Sequence, residues 1–130
     1  MKSNLKIGLF IFIVIFLFSS IFLSSFAAEK EYKIYVVVHG GIADPFWKVC
    51  EKGALDAGDL YEDLEVIYTG PAVFKLEEFI AYVEAALAGE PDALVCTLTA
   101  PPAMDESLRA EIAKGLPVVG INAPDLRETK

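Results

Sequence analysis

The chain has 130 residues, 11 of them basic and 19 acidic, for a formal net charge of -8. That length supports one small domain, and so acidic a balance speaks against nucleic acid as a partner. Its two cysteines, Cys50 and Cys96, lack the C-x-x-C spacing of a redox or zinc site.

Lys2 and Lys6 precede the unbroken apolar run Ile7 to Phe18, and a Ser-rich stretch follows, ending in Ser25-Phe26-Ala27-Ala28. This order reads as a secretory signal peptide over residues 1–27, with small residues at Ser25 and Ala27 to admit cleavage after Ala27. Left uncleaved, the same stretch is long enough to anchor the chain in a membrane. Cleavage would remove two positive charges and leave about -10 on roughly 103 residues. It would also remove six of the nine Phe residues, so the positive mean hydropathy belongs largely to the signal. The expected location is periplasmic or otherwise extracytoplasmic, an oxidising compartment in which Cys50 and Cys96 are either two packed thiols or a disulfide.

Residues 28–130 alternate strand and helix patterns. Tyr32 to His39 is β-branched and aromatic, with the continuous apolar run Val36-Val37-Val38 of a strand covered on both faces. Asp44 is placed to cap a helix whose first position is Pro45, and the helix reaches Gly58 or Tyr61. Its small residues Gly53, Ala54 and Ala57 predict a close approach to the sheet. Leu64 to Thr69 is a second strand, followed by a helix with Leu76, Phe79, Ile80, Val83 and Leu87 on one face and a stop at Gly89. Ala93 to Leu98 is a third strand, Ala103 to Lys114 a third helix, and Pro117 to Asn122 a fourth strand. The succession predicts an α/β fold, a doubly wound parallel sheet of order 2-1-3-4 in three α/β/α layers. The ends of strands one and three then form a topological switch point, and a ligand is expected against His39 to Trp47.

Several chemistries are excluded. His39-Gly40-Gly41-Ile42-Ala43-Asp44 matches neither a dinucleotide nor a phosphate loop, and no cofactor is expected. Beyond the signal, Ser107 is the sole serine and lies outside any G-x-S-x-G elbow. With one histidine and dispersed carboxylates no metal site is expected, and strand ends reading HGG and CTLT do not suit a phosphoacceptor. The chain is not expected to be an enzyme.

The motif GGIADPFW, the helix KVCEKGALDAG, the segment PDALVCTLTAPPAM and the strand GLPVVGINAPD together resemble the amino-terminal lobe of type I periplasmic sugar-binding proteins, the ribose- and galactose-binding-like components of ABC importers. The resemblance covers nearly all of residues 28–130 and rests on the ordered succession of motifs. It implies a two-lobe protein of which this sequence holds an incomplete first lobe, so that half of the ligand contacts would be missing. It also implies that Asp44, Phe46, Trp47 and Asn122 contact the ligand. The family often has Asn where this chain has Asp44, and an ionised Asp only accepts, which favours donor-rich hydroxyl ligands over anions.

Residue chemistry points the same way. Trp47 or Phe46 could stack on the C–H face of a pyranose while Asp44, Asn122 and His39 take its hydroxyls. Each also has a structural reading. Asp44 serves as an N-cap alone, Phe46 packs beneath its helix, His39 is a solvated strand end, and Asn122 caps the turn before Pro124. Trp47, with less reason to be core, ranks first as the ligand-facing ring. The partners implied are a small sugar or polyol, an inner-membrane ABC permease and a chemoreceptor. The alternative is a membrane-associated sensor or interaction module that uses the same lobe to contact a chemoreceptor or sensor kinase. A sugar-responsive repressor would need a DNA-binding segment where this sequence has an export signal.

Overall fold

The computed structural model describes residues 30–41, 43–99 and 101–123. The predicted signal segment, Ile42, Ala100 and the residues from Pro124 onward lie outside them. The elements run β1 (Tyr32–Val37), α1 (Pro45–Gly58), β2 (Leu64–Thr69), α2 (Leu76–Ala88), β3 (Ala93–Thr97), α3 (Pro101–Ala113) and β4 (Val118–Ile121). The strands form one parallel sheet of order β2-β1-β3-β4. The predicted fold class and strand order are both observed. Register places Val36 opposite Tyr68 and Val95, Val37 opposite Thr69 and Cys96, and Thr97 opposite Ile121.

The period-two alternation of strand side chains divides the core into two layers. On one face Val37, Leu94 and Cys96 pack against Phe79, Val83 and Ala86 of α2 and against Met104 and Leu108 of α3. On the other, Val36 and Val38 pack against Trp47 of α1, with Cys50, Ala54, Val66 and Val95 around them. One helix on one face and two on the other make the expected three layers. The same division settles the cysteines: Cys50 and Cys96 belong to opposite faces of the sheet and both are free thiols. Burial pushes the Cys96 thiol up to about 11, which keeps it protonated.

Local chemistry explains where the helices start and stop. The Asp44 carboxylate accepts from the Phe46 N–H at 2.8 Å, and Pro45 follows at the first helical position. Glu77 and Glu78 stand in the first turn of α2, where carboxylates complement the helix dipole. The third helix begins at Pro101, two residues before the predicted Ala103, because proline is tolerated in a first turn that needs no N–H partner. At the end of α2 the left-handed residue is Glu90 (φ 51°), whereas Gly89 stays at φ -75°.

The predicted close approach of α1 through Gly53, Ala54 and Ala57 is corrected in part. Gly53 and Ala57 are exposed, and a Cβ at Gly53 would meet open space. Ala54 does pack on the sheet, and the tight contact lies at Gly58, where a Cβ would come within 2.7 Å of Val66 Cγ2.

Candidate functional site

The parallel ladder stops at the carboxyl end of β1 and side chains take over its hydrogen bonding. Val38 N–H still donates to the Thr69 carbonyl at 3.0 Å, but the next donor, His39 N–H, goes to Thr97 Oγ1 at 3.0 Å. The β1 and β3 ends are thereby tied together at the switch point, where an open α/β sheet leaves a crevice for a ligand.

The His39 imidazole is ringed edge-on by three aromatic side chains. Its centroid lies 5.2 Å from Trp47, 5.5 Å from Phe74 and 6.3 Å from Phe79, at interplanar angles of 77° to 87°. Burial in this apolar setting lowers the His39 pKa from its ordinary value, so the ring is neutral at pH 7. Nδ1 is buried without a hydrogen-bond partner.

The structure contradicts the expectation that Trp47 has less reason than Phe46 to be core. Trp47 is only 7% exposed and lies in the core beside Val36 and Val38, with Gly40 so close that a Cβ there would overlap the indole. Its carbonyl accepts from Tyr68 Oη at 3.1 Å, and burial, followed by Cys50 and Glu51, pushes the Tyr68 phenol up to about 12. Phe46 is 55% exposed and stands edge-on to Trp47 at 4.9 Å. Phe46 therefore offers a ring to solvent, and Trp47 supports both Phe46 and His39 from beneath.

Asp44 is exposed, and its Oδ1 is engaged in capping α1. Asn122, just past β4, adopts φ 59° at the centre of a tight turn closed by Ala123 N–H to the Ile121 carbonyl at 2.6 Å. Leu98 N–H then donates to the Ala123 carbonyl at 2.8 Å, which holds this turn against the end of β3. Asn is among the few non-glycine residues that tolerate the left-handed region, so its presence here has a backbone reason as well as a side-chain one.

Two further residues were not anticipated from sequence. Thr97 is fully buried with its hydroxyl committed to His39 N–H, and Thr99, two residues on, has a buried Oγ1 with no partner. The T-x-T spacing at a strand end was the available signal, but threonine is common in strands for steric reasons alone.

Cations near this end are already engaged: Lys48 pairs with Glu51 at 2.7 Å and Lys75 with Glu78 at 2.5 Å. Among the described residues no cluster of His, Cys, Asp or Glu has metal-site geometry. Hollows of about 510 and 370 Å³ lie at the opposite end of the sheet, the first lined by Glu90, Asp92, Glu111 and Lys114, the second by Tyr32, Ile34, Tyr61 and Leu64. There Lys114 pairs with Glu111 and Asp92 is bonded to Lys33, so convergent free polar groups, the mark of a ligand site, are better represented at the His39 end.

No protein-family model and no curated protein matches the chain. Among solved structures it is similar to an ABC sugar transporter component, a periplasmic sugar binding protein from Legionella pneumophila, at 25% identity and a TM-score of 0.64. The match takes in 74% of this chain and 35% of that protein, so the chain spans about a third of its length. The architecture is that of part of one lobe of a periplasmic binding protein.

Proposed function

We propose that the chain is the first-lobe portion of an extracytoplasmic solute-binding protein that delivers a sugar or polyol to an ABC permease, without catalysing a reaction. The observation that carries the reading is the convergence of the β1 and β3 ends, the neutral His39 and the exposed Phe46 at the switch point of a fold similar to a periplasmic sugar binding protein. In this reading Phe46 stacks on a C–H face of the sugar, and Asp44 Oδ2, Asn122 and His39 take ring hydroxyls. Trp47 keeps Phe46 and His39 in place. An exposed carboxylate and a neutral imidazole, with Lys48 and Lys75 already paired, favour an uncharged ligand over an anion.

Because one lobe supplies only part of an enclosing site, affinity is expected to be weak, and the suitable test is a backbone-amide NMR titration with millimolar D-ribose, D-galactose and myo-inositol. Localised shifts at His39, Phe46 and Asn122 would support the reading. An unchanged spectrum with all three sugars would overturn it.

A further inference from the structure

We propose that Thr99 is a further ligand-recognition residue of this site, whose hydroxyl pairs with His39 Nδ1 to take one hydroxyl group of a neutral polyol; the inference rests on the sugar-binding reading above. Thr99 Oγ1 and His39 Nδ1 are the buried side-chain polar atoms without a partner among the described residues, and both lie where the central strands β1 and β3 end. Folding alone gives no reason for this. Valine is nearly isosteric with threonine and would fill the position without stranding a hydroxyl, as the neighbouring Thr97, whose oxygen accepts from His39 N–H, does not. Groups kept at a cost to the fold are expected at functional sites.

The chemistry of the two atoms narrows the occupant. A threonine hydroxyl donates and accepts, and one imidazole nitrogen does either according to tautomer, so together the two atoms can serve a group that itself both donates and accepts. A sugar hydroxyl uses that whole capacity, and with Lys48 and Lys75 already paired an anion would find no free cation beside it among the described residues. Of the three rings around His39, Trp47 and Phe79 are buried and Phe74 is 47% exposed, so Phe74 is the one that borders solvent.

The test uses Thr99→Val and Thr99→Ser in the full chain, with thermal melting and NMR titration against the same three sugars. Thr99→Val is expected to raise the melting temperature of the free protein and to weaken sugar binding about tenfold, the scale of one hydrogen bond. Thr99→Ser should retain binding. A lower melting temperature for Thr99→Val would show that the hydroxyl has a structural partner, and would overturn the proposal. Unchanged affinity in Thr99→Val would overturn it too, while leaving the sugar reading standing. Failure of the unsubstituted chain to bind any of the three sugars would overturn both.

Discussion

The two ends of the sheet are built to different rules. At the amino end the polar groups are closed into local pairs. Lys33 N–H donates to Asp92 Oδ2 at 2.7 Å, Asp92 N–H returns a bond to the Lys33 carbonyl at 2.8 Å, and Lys33 Nζ reaches the Gly89 carbonyl at 2.5 Å. At the carboxyl end a neutral imidazole sits among aromatic rings, two buried polar atoms lack partners, and Asn122 holds a left-handed backbone. Hollows of about 510 and 370 Å³ belong to the satisfied end and the unsatisfied chemistry to the other. What distinguishes a candidate site is less its volume than polar capacity that the fold itself does not use.

The largest effect expected from breaking this contrast is at Trp47, on which the carboxyl end rests. Trp47→Ala removes a core side chain and should cost about 3–5 kcal/mol of folding free energy, read from the urea midpoint. Were Trp47 a ligand-facing ring instead, the variant would keep its stability and lose only affinity. Gly40→Ala drives a methyl into the same indole and should cost about 1–3 kcal/mol by overpacking. Equivalent urea midpoints for Gly40→Ala and the exposed, open position Gly53→Ala would contradict the packing described for α1.

Why the fold was legible and the site only partly so follows from the same residues. Apolar runs such as Val36-Val37-Val38, the cap Asp44-Pro45 and the face of Phe79 and Val83 are strong local signals that the packing then uses without conflict. Phe46 and Trp47 are neighbours about 100° apart around a helix, so a small error in helical phase exchanges their roles. The correct phase was present in Cys50, Ala54 and Gly58, which lie three, seven and eleven positions after Trp47 and face the sheet with it. Composition drew attention to Gly53 and Ala57 instead, which share the exposed side with Phe46. Thr99 gave no such warning, because whether a hydroxyl is satisfied depends on non-local neighbours.

Intermediate effects separate folding roles from binding roles at this end. Asp44→Ala removes the α1 cap and should cost about 1 kcal/mol, whereas Asp44→Asn, an equally good cap, should leave the urea midpoint in place. A sugar affinity that falls in Asp44→Asn, with stability intact, would assign the carboxylate a contact beyond capping. The carboxyl end should also respond to acid. Since burial lowers the folded-state pKa of His39 below its value of 6.5 in the unfolded chain, the unfolded chain binds the proton more readily. Stability should therefore be full above pH 6.5 and decline as the pH falls below it toward the folded-state value. His39→Gln should flatten that part of the melting-temperature profile.

The smallest effect on the fold, and the sharpest on the contrast, is expected at Phe46. With more than half of its surface exposed and its main contact an edge-on approach to Trp47, Phe46→Ala should change folding free energy by about 0.5 kcal/mol or less. The same change should weaken sugar binding by about 1 kcal/mol, the scale of an aromatic contact beyond simple burial. Tyr61→Ala supplies the control, because Tyr61 is equally exposed, lines the amino-end hollow and should alter neither quantity beyond that small margin. If instead Tyr61→Ala reduced sugar affinity and Phe46→Ala did not, the ligand would belong to the amino-end hollow that Tyr61 lines, and the unpartnered groups around His39 would need another explanation.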